Sequence, residues 1–345
     1  MTNDHTPTSS PAAGAGPPEK PSRWAWVLRL LRKKEAGILI ALIVLMALIS
    51  FLKPQFADPD NLSRVCRQVA YTAIVALGVF FVILTGGIDL SVGWTVSLTG
   101  VICAWGMGTT AHSYLPLLEW GPLAGVCMGL AAGALVGAFN ATVVCYVGVT
   151  PFIVTLGSMQ MANGLVYVLT RGENILGVPK AFGEVGFGTV VGVPVPVIVL
   201  LLLAAAAHVT VTYTAFGRRL YAVGGNEEAT RLSGINVRRV KFLAYVLSGL
   251  LSAVAGILYV AKFSSGQVDV GKGMELDAIA AAVIGGTSLM GGEGSVLGVL
   301  IGAMIMGVIR NGLVVMSVTP YWQQFIIGAI IVLAAVLDYL KSRRR

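Results

Sequence analysis

The 345-residue chain is 56% hydrophobic and only 12% charged, whereas a soluble globular protein carries roughly a quarter charged residues. This composition excludes a soluble globular domain, because so few charges cannot cover a water-exposed surface. The net charge of +8 does not indicate a nucleic-acid partner, since the basic residues flank long apolar segments, as the positive-inside rule predicts for a protein in a lipid bilayer.

The two ends of the chain differ from the rest. Residues 1–35 begin with a stretch rich in Pro, Ala, Gly and Ser, which predicts a disordered cytoplasmic tail. This tail has no apolar core of the signal-peptide kind, so we expect the first span to be retained. Residues 341–345 are mostly basic and are predicted to form a cytoplasmic C-terminus.

Between these ends, ten apolar segments are long enough, or nearly so, to cross a bilayer, which takes about 20 residues. Their predicted bounds are 36–52, 69–85, 92–110, 121–147, 150–170, 195–213, 241–262, 276–291, 294–316 and 321–340. The sequence therefore predicts an all-α integral membrane protein with about ten transmembrane helices in one domain over residues 36–340. An even number of crossings places both termini on one side, and the flanking basic residues indicate the cytoplasm.

Two of these segments, 92–110 and 276–291, are interrupted by glycine and polar residues. We predict that they are broken or re-entrant helices, which membrane proteins tolerate where protein or a wet cavity satisfies the backbone. An internal echo supports this prediction, because residues 86–93 and 285–292 share the pattern G-G-x-x-L-x-x-G. Glycine-interrupted segments at corresponding places in two halves are typical of transporter repeats and their substrate sites.

The 43 glycines favour a tightly packed bundle, because small residues let helices approach closely in lipid. Two Gly-x-x-x-Gly pairs, Gly133 with Gly137 and Gly298 with Gly302, follow the echoed segments and predict close helix contacts. The four cysteines have no C-x-x-C spacing and are interpreted as small apolar residues.

The polar residues inside the spans are candidates for a conduit. Asp89 either lines this conduit or fixes the broken helix, or it caps the next helix together with Ser91. Uncharged polar side chains suit a neutral, hydroxyl-rich cargo, and the alternative is that they bond helix to helix. They are Asn140, Thr150, Thr155, Ser158, Gln160, Asn163 and Asn311. Glu275 and Asp277 are expected to form a solvated outer rim.

The loop 214–241 is the most charged stretch after the tail and is predicted to be cytoplasmic. In it, Asn226 is a capping residue, Glu227 and Glu228 occupy a first turn, and Gly234 is a stop signal. This pattern predicts a short amphipathic helix. It is either a solvated surface helix or a docking element for an ATPase.

The chain has no pattern typical of catalysis or of cofactor binding. Residues 266–273 resemble a phosphate loop, but they lack its final Ser or Thr and no strand precedes them. No metal signature and no nucleophile motif occurs. We therefore expect a protein that is not an enzyme and has no cofactor or metal, with ATP bound by a partner chain.

Four stretches carry a resemblance to a known family. They are ILTGGIDLSVG (83–93), TPFIVTLGSM (150–159), GRRLYAVGGNEEATRLSGINVRRVK (217–241) and ELDAIAAAVIGGTSLMGGEGSVLGVLIGAM (275–304). In them the chain resembles the permease subunits of bacterial ribose, xylose, arabinose and galactoside ABC importers. The resemblance runs from about residue 36 to residue 340, with Thr230 standing where the family often has Ala.

This resemblance implies a homodimeric pore in the bacterial inner membrane that imports a monosaccharide, a ribose-type pentose or a related sugar. It also implies a cytoplasmic ATPase with two fused nucleotide-binding domains and a periplasmic sugar-binding protein. The implied coupling helix consists of Asn226, Glu227, Glu228, Ala229, Arg231, Leu232, Ser233 and Gly234. The candidate path residues are Asp89, Ser91, Asn140, Thr150, Thr155, Asn163, Thr287 and Ser288.

Two other classes of protein are alternatives. A secondary transporter needs ionisable residues within the membrane to couple an ion, and Asp89 is nearly the only candidate. A structural or receptor-like membrane protein would have neither a co-purifying ATPase nor an uptake defect on deletion.

Overall fold

The computed structural model describes residues 34–108 and 120–342. The predicted disordered tail, apart from its last two residues, and the end of the basic C-terminus lie outside the described residues. The helices are α1 Lys34–Leu52, α2 Pro59–Leu84, α3 Val92–Met107, α4 Gly121–Thr142, α5 Pro151–Thr170, α6 Lys180–Phe187, α7 Val195–Tyr213, α8 Ala215–Gly225, α9 Glu227–Leu232, α10 Val237–Phe263, α11 Met274–Ile284, α12 Val296–Val315 and α13 Pro320–Ser342.

The remaining regular structure is small. A 3₁₀ turn, Pro54–Ala57, follows α1, and a π-helical turn, Val143–Val147, extends α4. Strands β1 (Thr189–Val190) and β2 (Val193–Pro194) form a short antiparallel hairpin before α7. The described part of the chain is therefore an almost wholly helical membrane protein.

Among residues 34–108 and 120–342, seven helices are long and apolar enough to cross a membrane, and Val92–Met107 and Pro320–Val336 are shorter apolar helices. The predicted segment 276–291 is not continuous, because α11 ends at Ile284 and the chain stays non-helical until Val296. The prediction of a break within 92–110 is wrong for its described part, because α3 is one unbroken helix and the non-helical residues, 85–91, precede it. With 11 residues, α11 is about 16 Å long, which is too short to cross the hydrocarbon core.

Helices α2 and α10 form the centre of the bundle. The apolar window of α2 is 83% buried and that of α10 is 61% buried, whereas that of α1 is only 11% buried. Helix α10 packs against α2, α3 and α4, and α2 also packs against α11 and α12. The first interruption of the bundle, residues 85–91, follows α2 directly. The second interruption, residues 285–295, joins α11 to α12, and both of these helices pack on α2.

The two Gly-x-x-x-Gly pairs make the close contacts that the sequence predicts. A Cβ atom placed on Gly133 would collide with the carbonyl of Gly249 on α10. Similarly, a Cβ atom on Gly302 would collide with the carbonyl of Ala281 on α11. The missing side chains therefore let α4 approach α10, and α12 approach α11, to backbone contact.

The two interruptions begin with the same backbone geometry. The paired hydrogen bonds run from Gly86 to Ile83 and from Gly87 to Val82 in one, and from Gly286 to Val283 and from Thr287 to Ala282 in the other. This is the Schellman pattern, which needs a residue at positive φ, and φ is 74° at Gly86 and 85° at Gly286. The echo is therefore real in structure, but its register is shifted by one, since the sequence pattern aligned Gly86 with Gly285.

Candidate translocation and coupling sites

The first interruption, residues 85–91, is organised around the carboxylate of Asp89. Its Oδ1 accepts hydrogen bonds from the Ser91 amide at 3.0 Å and the Ser91 hydroxyl at 2.6 Å. Its Oδ2 accepts from the Ser248 hydroxyl on α10 at 2.8 Å. Asp89 is only 1% exposed, and such a buried carboxylate is stable only when donors of this kind surround it.

The network extends from Asp89 to two further helices. Asn140 on α4 donates from Nδ2 to the Ser91 hydroxyl at 2.8 Å. The hydroxyls of Thr155 on α5 and Tyr245 on α10 donate to the carbonyl of Ile88 at 3.4 and 3.3 Å. The break between α2 and α3 is thus tied to α4, α5 and α10, which favours the interpretation that Asp89 fixes the broken helix.

The alternative role of Asp89 and Ser91 as a helix cap is met only in part. Asp89 accepts from the amide of Ser91, which precedes α3. Ser91 occupies the N-cap position of α3 but its side chain accepts no hydrogen bond from the helix. The Ser91 hydroxyl instead connects Asp89 with Asn140.

The other predicted path residues are divided between two places. Thr150 is exposed at the N-terminus of α5, and Asn163 lies on the same helix with its Oδ1 buried and without a hydrogen-bond partner in the described structure. Thr287 is fully buried in the second interruption, and its neighbour Ser288 accepts from the Met290 amide at 3.3 Å. The structure therefore brings Asp89, Ser91, Asn140 and Thr155 together, and leaves the others apart from this cluster.

Two members of the Asp89 network, Tyr245 and Ser248, are not among the residues predicted from the sequence. Both lie on one face of α10, as does Ser252, and this i, i+3, i+7 spacing of polar groups within an apolar helix is the signal that could have identified them. Asn311, a candidate for cargo contact, instead exchanges side-chain hydrogen bonds with Asn61 at 2.9 and 3.1 Å.

The expectation that Glu275 and Asp277 form a solvated rim is wrong. Asp277 is 6% exposed and lies 2.7 Å from the guanidinium of Arg310 on α12. Glu275 has a buried Oε2 that packs close to Gly93 on α3. The reason is that α11 begins inside the bundle, where Arg310 supplies the opposite charge that a buried carboxylate needs.

The predicted short helix in the charged loop is α9, Glu227–Leu232. Its N-cap is Asn226, whose Oδ1 accepts from the Ala229 amide at 2.9 Å. Gly234, with φ of 81°, follows the helix, as the stop signal predicts. Glu227 forms an ion pair with Lys241 at the start of α10.

All eight residues predicted for the coupling helix are exposed. The exception within α9 is Thr230, which is 6% exposed. Its hydroxyl donates to the carbonyls of Ala222 at 2.8 Å and Asn226 at 2.7 Å. Thr230 therefore anchors α9 to α8, while the remaining side chains of α9 are exposed to a partner.

The comparisons with known proteins agree on one family. A family model described as the branched-chain amino acid transport system permease component matches residues 61–335. The chain is 43% identical over 322 residues to the ribose import permease protein RbsC of Escherichia coli K12, covering 92% of this chain and 96% of that protein.

Two further relatives come from the same strain. The galactose/methyl galactoside import permease protein MglC is 39% identical over 322 residues, covering 90% of this chain and 96% of that protein. The D-allose transport system permease protein AlsC is 34% identical over 308 residues, covering 89% of this chain and 92% of that protein. No solved structure gives a significant match. This helical membrane protein, with its capped surface helix and two glycine-rich interruptions, belongs to the permease family of ribose-, galactose- and allose-type ABC importers.

Proposed function

We propose that this chain is the membrane permease subunit of a bacterial ABC importer for a monosaccharide, driven by ATP hydrolysis on a separate ATPase subunit. The observation that carries the proposal is α9, a capped helix with every side chain except Thr230 exposed. Relatives of 34–43% identity that are named for ribose, galactose and allose support a sugar as the cargo. A ribose-type pentose or a related sugar is the preferred cargo.

The partners follow from this role. The ATPase, with two fused nucleotide-binding domains, docks on α9, and a periplasmic sugar-binding protein delivers the cargo. A second copy of the chain completes the pore. When ATP binding closes the nucleotide sites, the two α9 helices move together and the bundle switches between outward and inward access, as a bistable element.

The proposed topology has about ten crossings of the inner membrane. The seven long helices, the shorter α3 and α13 and the interrupted α11 segment account for them. The charged loop 214–241 and both termini are placed in the cytoplasm, because basic residues concentrate there.

The proposed path runs beside the two interruptions and includes Asp89, Ser91, Asn140, Thr150, Thr155, Asn163, Thr287 and Ser288. Within this set the Asp89 network holds the broken helix in position, and Thr150 and Asn163 on α5 are the candidates for contact with a sugar. Weak contacts are sufficient, because specificity resides in the binding protein. Apart from Asp89, these path residues are uncharged, which favours a neutral sugar over an amino acid, which carries two charges.

Uptake into proteoliposomes tests this function. The permease is reconstituted with its ATPase and binding protein, and uptake of radiolabelled ribose, galactose, allose and leucine is measured with and without ATP. We expect ATP-dependent uptake of at least one sugar and none of leucine. Uptake of leucine alone, or sugar uptake that persists without ATP, would contradict the proposal.

The docking role of α9 has its own test. Leu232 on α9 is 81% exposed, and Val191 in the β1–β2 turn is 97% exposed. Leu232→Ser should weaken ATPase binding by about tenfold, the effect of losing one buried apolar side chain from an interface, whereas Val191→Ser should not. Co-purification and surface-based binding assays measure both, and equal binding by the two variants would contradict docking at α9.

A further inference from the structure

The C-terminus of α8 meets both interruptions at one point, which we call the glycine joint and define as Gly86, Gly224, Gly291 and Gly292. A Cβ atom on Gly224 would collide with the carbonyl oxygen of Leu84 and with the amide nitrogen of Gly292. A Cβ atom on Gly291 would lie 2.7 Å from the Gly86 nitrogen and 3.0 Å from the Gly224 Cα. Three separate backbone segments are therefore in direct contact, with no side chain between them.

Hydrogen bonds hold the joint together. The Gly292 amide donates to the Leu84 carbonyl at 3.0 Å, which connects the second interruption to the end of α2. The Tyr221 hydroxyl on α8 donates to the Gly294 carbonyl at 2.9 Å, which connects α8 to the second interruption. Backbone contacts of this kind transmit displacement efficiently, since close-packed interiors are stiff.

The joint lies close to the N-cap of α9, because only Gly225 stands between Gly224 and Asn226. Thr230 also anchors α9 to the Ala222 carbonyl of α8. Leu220 and Val223 are 0% and 2% exposed, so α8 is itself embedded in the bundle. A displacement of α9 therefore passes to α8 without an intervening flexible linker.

We propose that the glycine joint is the element through which motion of α9 reaches both interruptions, and that Gly224 and Tyr221 are positioning residues for ATP-driven transport. This proposal rests on the proposed function, since it assumes an ATPase docked on α9. It extends the coupling apparatus beyond residues 226–234 to the preceding helix. The close approach at Gly224 explains the need for glycine there, because φ at that position is not in the left-handed region.

The chain provides a matched control. Gly224 and Gly225 are adjacent residues in the last turn of α8, so alanine at either gives the same gain in helix propensity. A Cβ atom on Gly225 would meet open space in the described structure, whereas one on Gly224 would collide with the Leu84 carbonyl at the end of α2 and with Gly292 in the second interruption. Comparison of Gly224→Ala with Gly225→Ala therefore separates the effect of the steric contact on transport from the effect of helix propensity.

The test uses the complete complex of permease, ATPase and binding protein in proteoliposomes. Uptake of radiolabelled ribose, galactose or allose, whichever the wild-type complex takes up fastest, is measured together with ATP hydrolysis. For Gly224→Ala we expect normal ATPase binding, continued ATP hydrolysis and about tenfold less sugar imported per ATP. Gly225→Ala should match the wild-type ratio.

Tyr221→Phe is the second variant and removes only one hydroxyl. We expect about a threefold loss of sugar imported per ATP, a typical effect of one hydrogen bond, with ATP hydrolysis retained. This variant decides the question if Gly224→Ala does not assemble. If Gly224→Ala imports as much sugar per ATP as the wild type, the proposed role of the glycine joint is wrong. If Gly224→Ala fails to assemble, the same result for Tyr221→Phe leads to the same conclusion.

The proposed function fails by a different result. If the wild-type complex imports no sugar, or if no ATPase binds the chain, the function itself is wrong, irrespective of either variant. If the wild-type complex works and Gly224→Ala and Gly225→Ala import equal amounts of sugar per ATP, only the proposed role of the glycine joint is contradicted. A merely structural role for Gly224 would lower the amount of folded complex without changing the sugar imported per ATP.

Discussion

The two interruptions begin alike but are held by different forces. In the first, the buried carboxylate of Asp89 gathers three donors and so fixes its position by side-chain hydrogen bonds. In the second, residues 285–295 are held by backbone contacts, while Met290 is 73% exposed. The carboxylate of Asp89, with donors on both of its oxygens, has one good geometry, whereas the close glycine contacts of the second interruption fix no side chain. The comparison therefore assigns anchoring to the first interruption, and we expect motion that reaches both through the glycine joint to displace the second interruption more than the first.

The largest expected effect in this comparison is at Asp89. Asp89→Ala leaves three buried donors without an acceptor, at about 1–3 kcal/mol each, so the protein should lose most of its folded yield. Asp89→Asn keeps the acceptor for Ser91 and can donate from its amide to the Ser248 hydroxyl, so it should fold and transport at a reduced rate. Thermal stability in detergent and ATP-dependent uptake measure the two variants.

Asp89→Asn, combined with depletion of ATP, separates an importer from an ion-coupled transporter. An ATP-driven permease with Asp89→Asn keeps part of its uptake and loses it when ATP is depleted. In a secondary transporter that depends on Asp89 for a proton or sodium ion, the Asp89→Asn variant would lose uptake. The wild-type protein would continue uptake after ATP is depleted.

A smaller effect is expected at Ser248, on the α10 side of the first interruption. Ser248→Ala removes one donor to Asp89 and should lower stability by about 1 kcal/mol, since interhelical hydrogen bonds in membranes average about 0.6 kcal/mol and those to charged groups are stronger. Ser252→Ala on the same face is the control, because the Ser252 hydroxyl donates only to the Ser248 carbonyl of its own helix. Equal thermal shifts for the two would contradict an anchoring network.

Local features of these regions could be predicted from sequence, and distant partners could not. The α9 helix is encoded within nine residues by a cap, two acids and a glycine stop, so sequence alone placed it. Asp89 was recognised as unusual, but its partner Ser248 is 159 positions away, and no local pattern connects the two. Likewise, Glu275 and Asp277 look like a rim until α12 brings Arg310 beside Asp277.

The register of the echo illustrates the same limit. The sequence pattern pairs Gly86 with Gly285. In the structure the equivalent residues are Gly86 and Gly286, which both have positive φ and follow the ends of α2 and α11. The start of α2 was also missed, because Pro59, Asp60 and Asn61 lower the hydropathy of its first turn below that of a span. Helix capping and packing, rather than composition, determine these boundaries.

The smallest expected effect is at Thr287, in the second interruption, and it tests the contrast from the opposite side. The Thr287 side chain is 0% exposed, and its Oγ1 has no hydrogen-bond partner among the described residues. Thr287→Val keeps the shape and removes an unsatisfied polar group, so stability should be unchanged or rise by about 1 kcal/mol. A loss in thermal stability comparable with that of Ser248→Ala would mean that this hydroxyl is bonded in the protein. The second interruption would then be anchored by side chains like the first, and the division between a fixed break and a movable one would be lost.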